Sequence, residues 1–294
     1  MSCRSVTREA HAKVNVFLRV LGVRDDGYHE LESLVLPLEL ADSVTVEEGQ
    51  GLEVEVTGDP HLTEAVEAAG MNLGLVAALA LAESCGDAGG ARIRIAKRIP
   101  VAAGLGGGSA DAAAVLRALD ELWGCGLSGP ELLEVGAHVG SDVPALLAGG
   151  PVLMRGRGEH VEPAVVASTW WVVRPFDFPT RSPDAFRWWD EDGGVTGPEL
   201  DGLVAAAARG DVEALGAALM NDLAAPVCAR HPEIAEAREA LVAAGALGAV
   251  MSGSGPTVVA LARDRSHAEE LAVTQPGAIV TSGPPGRSGD ADLG

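Results

Sequence analysis

At 294 residues, with 47% hydrophobic and 21% charged side chains, the chain is long enough to bury a sizeable core and too apolar to stay disordered. A formal net charge of -21 excludes a sequence-independent grip on nucleic acid, which needs clustered Lys and Arg, and disfavours an anionic membrane surface. Any phosphorylated ligand must then meet a local positive field made by a few side chains and backbone amides.

Cys3, Cys85, Cys125 and Cys228 are scattered with no C-x-x-C pair, which predicts neither a zinc site nor a disulfide framework and suits a reducing cytoplasm. No apolar run follows Arg4, Arg8 and Lys13, so no signal peptide is expected. Residues 241–262 carry no charge, but Ser252-Gly253-Ser254-Gly255-Pro256 in their middle would break a spanning helix; helix, glycine loop and strand are expected instead.

In chain order, residues 12–20 alternate, with Ala12, Val14, Val16, Leu18 and Val20 on one face and Lys13, Asn15, Phe17 and Arg19 on the other: a strand. Asp25-Asp26-Gly27 makes a turn, and strands are expected over 31–46, 52–57 and 91–95. The spacing predicts helices over 72–83, 110–123 and 130–138, the last with Pro130 in its first turn. Between Gly149 and Gly158 the composition turns to Gly and Arg, which suggests a boundary between a first domain, 1–155, and a second, 156–281. The second half alternates helices (197–209, 212–220, 232–244) with strands (170–173, 249–251, 257–262, 278–281). Residues 282–294 are rich in Gly, Pro, Ser and Asp and are expected to form a disordered tail. The fold class expected is α+β in two lobes.

The most informative stretch is Lys97-Arg98-Ile99-Pro100-Val101-Ala102-Ala103-Gly104-Leu105-Gly106-Gly107-Gly108-Ser109-Ala110-Asp111. A strand enters it and a long helix leaves it. Bare backbone amides at a helix N-terminus make a phosphate cradle. The loop lacks the Gly-Lys-Ser/Thr ending of a Walker A loop, and Ser109 occupies the third glycine position of the dinucleotide fingerprint. Asp111, in the first helical turn, is placed there for helix stability rather than chemistry. The chain has only two lysines, Lys13 and Lys97, against nineteen arginines. Such a bias keeps Lys where a compact ammonium matters more than a planar fork.

The pattern P-x-x-x-G-L-G-x-G-S over Pro100–Ser109 resembles the second motif of the galactokinase, homoserine, mevalonate and phosphomevalonate (GHMP) kinase superfamily. Ala12-Lys13-Val14-Asn15 resembles the first motif and Ser252-Gly253-Ser254-Gly255-Pro256-Thr257 the third. The resemblance implies an ATP-dependent small-molecule kinase. ATP would then be held by Lys97, by Pro100 through Ala110 and by Ser252 through Gly255. Gly140-Ser141-Asp142-Val143-Pro144 matches the segment in which the superfamily carries its catalytic aspartate, although an Asp before Val-Pro is also a good helix cap. Asp142 is thereby implied as general base and Lys13 as its electrostatic partner, since an ammonium beside such a carboxylate favours its ionised form. Asn15 is expected to line the same site. Mg²⁺ would bridge the ATP phosphates, with Ser109 the one side-chain contact suggested and no acidic ligand evident.

Asp25-Asp26-Gly27-Tyr28-His29-Glu30-Leu31 resembles the signature of one branch of the superfamily, whose acceptor is a cytidine diphosphate-linked polyol. Tyr28, the only tyrosine, would stack on the pyrimidine, His29 would bond its polar edge, and Phe186 would close the other face. Met220-Asn221-Asp222-Leu223 matches a family segment that reads as architecture, and Gly156-Arg157-Gly158-Glu159 fits either a diphosphate contact or a polar linker. The partners expected are thus small molecules, with neither nucleic acid nor membrane.

Overall fold

A computed structural model describes residues 4–86 and 88–285 of the chain. It begins with two long strands, β1 (Ser5–Val23) and β2 (His29–Gly49), then β3 (Leu52–Gly58), α1 (Pro60–Ala68), α2 (Leu73–Ser84) and β4 (Gly90–Lys97). Next come α3 (Gly107–Trp123), α4 (Gly129–Val139), α5 (Val143–Leu147) and the strands β5 (Val152–Gly156), β6 (His160–Pro163) and β7 (Thr169–Arg174). The remainder is α6 (Ser182–Glu191), α7 (Asp201–Arg209), α8 (Val212–Ala217), β8 (Met220–Asn221), α9 (Ala224–Arg230), α10 (Pro232–Ala243), β9 (Gly248–Met251), β10 (Val258–Ala262), α11 (Arg265–Val273) and β11 (Ile279–Gly283).

Two sheets organise these elements, and the α+β class holds. The larger runs β3-β4-β2-β1-β8, with the β5–β6 hairpin continuing from the N-terminal half of β2. The smaller is antiparallel in the order β11-β7-β10-β9. Its central strands, β7 and β10, carry continuous apolar runs because both their faces are covered. Trp171, Val173, Val259 and Leu261 face the main core with α3, while Val172, Val258, Ala260 and Ala262 face a second core with α9, α10 and α11. Among the described residues no single helix is long and apolar enough to cross a membrane.

Several expectations need correction. Strict alternation in β1 fails at Val16, an extra residue that shifts the register between Asn15↔Val35 and Phe17↔Leu34. A bulge of this kind changes the phase of everything after it. Phe17 therefore joins Val14 and Val16 in the main core, while Leu18 and Val20 turn to the second core and Leu18 shares a cleft with Lys13 and Asn15. Cys85 and Cys125, expected to stay apart, are joined in a disulfide between the end of α2 and the segment after α3. Ser282 and Gly283 are not tail but pair with Trp170 and Thr169; residues 286–294 of the expected tail lie outside the described residues. The hairpin β5–β6 straddles the suggested division at residue 155, so the large sheet runs on to Pro163. In the second half, the helix expected at 197 starts only at Asp201, and residues 220–221 form β8 rather than a helix end. Helices α1, α5, α6, α9 and α11 are additional to the sequence expectation.

Candidate active site

The site is built where β1, the loop between β4 and α3, and the loop between β9 and β10 converge. The Lys13 amide donates to the Leu105 carbonyl at 2.9 Å, which docks the glycine loop on β1. Gly106 caps α3 in the left-handed conformation (φ 67°) with no side-chain cap, so the first amides of the helix have no partner a turn earlier. A side chain at Gly106 would put Cβ 2.8 Å from Lys13 Cγ, and one at Gly104 would put it 2.4 Å from the Gly255 carbonyl oxygen. Glycine at these two points thus lets the second motif touch both others. Ala102, also left-handed at φ 56°, is the one non-glycine residue with positive φ among the described residues and sits in the same loop.

A cleft of about 550 Å³ opens over this junction, lined by Lys13, Asn15, Lys97, the loop from Pro100 to Ser109, Asp142 and Gly253 to Gly255. At its floor Lys13 Nζ lies 3.2 Å from Asp142 Oδ2 and donates to Asn15 Oδ1 at 2.8 Å. Lys13 is 6% exposed. Asp142 precedes α5 but makes no side-chain cap bond; its carboxylate faces the lysine instead. The cap reading therefore fails on geometry. Ala110 and Ser252, counted among the nucleotide contacts, do not line the cleft. Ala110 faces the core, and Ser252 is fully buried with Oγ accepting from the Asn15 amide at 3.1 Å. Asn221 holds the third loop from behind, its Nδ2 donating to the Met251 and Gly253 carbonyls at 2.7 Å each, while Asp222 Oδ2 accepts from the Val20 amide at 2.8 Å. The N-D-L segment is architecture, as read.

Lys97 lies deeper than the sequence suggested. Its ammonium bridges Asp42 and Asp111, the latter at 2.8 Å. Asp42 Oδ1 in turn accepts from the amides of Arg98 and Ile99, so one buried triad ties the entry of the glycine loop to the first turn of α3. Asp111 is therefore more than a helix-end charge. Burial pushes its carboxyl up to about 7; Lys97 pulls it down in part and Asp42 adds to the rise. The folded protein then keeps a proton that the unfolded chain releases near pH 4. Stability should fall as pH rises from about 4 to about 7 and level off above. The measurement is the urea midpoint of the wild type and of Asp111→Asn across that range, with a shallower fall expected in the variant.

A second cavity, about 670 Å³, continues from the first through Leu31, Ser141, Arg157, Ser182 and Phe186. It holds Tyr28, His29 and Phe186 together, as the sequence implied, but Phe186 stacks on His29 (4.7 Å between centroids) and Tyr28 lies under the Arg157 guanidinium at 5.0 Å. His29 is also held by Asp190 Oδ1, 3.0 Å from Nε2. Arg157, left open between ligand contact and linker, lines both cavities. Asp42, Ser33 and Asp190 escaped sequence reading. Asp42 is one of several acids along β2, with Glu32, Glu39 and Glu47, so nothing local marked it out.

A loop of bare amides at a helix start, closed by a second glycine loop and facing a lysine–aspartate pair, defines a phosphotransferase of the small-molecule kinase class. Residues 72–150 match the family described as GHMP kinases N terminal domain, and residues 203–273 match GHMP kinases C terminal. The chain is 46% identical over 265 residues to a 4-diphosphocytidyl-2-C-methyl-D-erythritol kinase of Symbiobacterium thermophilum, covering 90% of this chain and 93% of the relative. It is 44% identical to the protein of that name from Salinispora tropica, covering 89% and 84%. A crystal structure of 4-(cytidine 5'-diphospho)-2C-methyl-D-erythritol kinase superposes with a TM-score of 0.79 at 35% identity, covering 96% of this chain and all of that one. The chain belongs to the GHMP kinase family and, within it, to the 4-diphosphocytidyl-2-C-methyl-D-erythritol kinases.

Proposed function

We propose that the cleft transfers the γ-phosphoryl group of ATP to the 2-hydroxyl of 4-diphosphocytidyl-2-C-methyl-D-erythritol, a step of non-mevalonate isoprenoid precursor synthesis in the cytoplasm. The observation that carries this reading is the 3.2 Å approach of Lys13 and Asp142 at the floor of a cleft walled by unpartnered loop amides. Asp142 accepts the proton of the acceptor hydroxyl as its oxygen attacks the γ-phosphorus, and the bond to the β-bridging oxygen breaks to leave ADP. Lys13 orients that carboxylate and stabilises charge growing on the attacking oxygen. The amides of Gly107, Gly108 and Ser109 hold triphosphate oxygens. Tyr28, His29 and Phe186 hold the cytosine, with Phe186 leaving His29 to admit the base.

Among the described residues no group of three or more His, Cys, Asp or Glu could hold a metal ion. Mg²⁺ needs few protein oxygens when phosphates supply the rest. The Ser109 hydroxyl is the cleft oxygen that would hold it, and it would neutralise charge on the phosphates.

Purified protein incubated with ATP and, separately, the cytidylyl acceptor, homoserine or mevalonate tests this reading. The cytidylyl compound alone should gain one phosphoryl group by mass. Turnover of homoserine or mevalonate with none of the cytidylyl compound would sink it.

A further inference from the structure

Ser33, on β2, borders the same cleft as Lys13, Asn15 and Asp142 and is 2% exposed. Its hydroxyl has a single proton, and that proton goes to the Phe17 carbonyl at 2.6 Å. Towards Asn15 the oxygen can therefore act only as an acceptor, and Asn15 Nδ2 donates to it at 2.8 Å. This settles which way the amide points. With nitrogen towards Ser33, Oδ1 faces Lys13 Nζ at 2.8 Å, and the ammonium in turn lies 3.2 Å from Asp142. A flipped amide would set NH₂ against NH₃⁺, two donors with no acceptor between them. The backbone makes the chain of contacts possible. The extra residue Val16 sets Leu18 opposite Ser33, and the Asn15 side chain reaches Ser33 across the strands. The Ser252 Oγ accepts from the Asn15 backbone N–H at 3.1 Å and so holds the strand at that residue.

We propose that Ser33 is a positioning residue of the phosphoryl transfer: it fixes the Asn15 amide, Asn15 fixes the Lys13 ammonium, and Lys13 thereby meets Asp142 in register. The assignment rests on the reading of Lys13 and Asp142 as the reacting pair. It predicts a loss in turnover without a loss in nucleotide binding, because the Ser33 hydroxyl bonds Asn15 and Phe17 and leaves the loop amides untouched.

The test is a double-mutant cycle on the full chain, with kcat and the KM for ATP measured for Ser33→Ala, Asn15→Ala and both together. Ser33→Ala should lower kcat about tenfold or more with the KM for ATP within about twofold. Ser33→Thr, which keeps the hydroxyl, should recover most of the loss. In the Asn15→Ala background the same Ser33→Ala change should remove little further, because its effect runs through Asn15. Should Ser33→Ala fail to fold, Ser33→Cys keeps the volume and offers a poor acceptor, and the same fall in kcat is expected. Wild-type kcat in a folded Ser33→Ala or Ser33→Cys protein overturns the proposal, as does an undiminished loss in the Asn15→Ala background. An Asp142→Asn arm separates the two readings: retained turnover there removes the reacting pair, whatever the cycle shows.

Discussion

Replacing Asp142 by Asn is expected to lower kcat by about 10²–10⁴-fold, the usual contribution of a positioned general base, while ATP still binds. The amide is the same size and can still meet Lys13, so packing is conserved and only proton acceptance is lost. Because the Asp142 carboxylate makes no cap bond to α5, helix destabilisation offers no competing explanation. Turnover of the cytidylyl acceptor, ATP affinity by calorimetry and the melting temperature should be measured on one preparation. A variant with wild-type kcat would remove Asp142 from the chemistry. One that lost ATP binding and melted early would show a structural residue instead.

Gly106→Val should reduce kcat/KM for ATP by at least about a hundredfold, the scale that a misplacement near 1 Å can produce. Two effects add at this position. A β-branched side chain is strained at φ 67°, and its Cβ would stand 2.8 Å from Lys13 Cγ and 3.0 Å from Lys13 Cε. The lysine must move, and the loop that docks on its backbone must move with it. Gly124→Ala supplies the comparison. It carries a similar left-handed conformation (φ 69°) at the end of α3, with nothing within 4 Å of the added carbon. It should lose stability without changing kcat/KM. If Gly106→Val behaves like Gly124→Ala, strain alone is at work and the loop does not position Lys13.

The local grammar of the chain was readable in advance where one force dominates. The glycine loop between a strand and a long helix, and the helix over 110–123, followed from residue type and period. The small sheet was legible because the runs at its centre, in β7 and β10, are apolar, and two covered faces demand that. What escaped depends on partners distant in sequence. Nothing local to Val16 marks it as the extra residue; it is fixed by the pairing of β1 with β2. The Asp42–Lys97–Asp111 triad joins three positions far apart in the chain, and the rarity of lysine drew notice to Lys97 without revealing its partners. The bond between Cys85 and Cys125 follows from α2 packing beside α3, which no spacing rule contains. The site residues fared in the same way. Lys13, Asp142 and the loop could be named from their motifs, but the cap alternative for Asp142 was removed only by its geometry. The burial of Lys97 and the stacking of Phe186 on His29 needed the third dimension.

The bulge at Val16 also bears on how the molecule could be taken apart. Up to that residue β1 contributes its apolar side chains to one interior; past it, Leu18 and Val20 fill the other, against Leu223 and Val227. Trp171 and Leu261 return the exchange from the small sheet. Neither half of the polypeptide is a portable module. A fragment beginning after Pro163 would lack two wall pieces supplied from near the N-terminus, and its hydrophobic face would look for substitutes in other molecules.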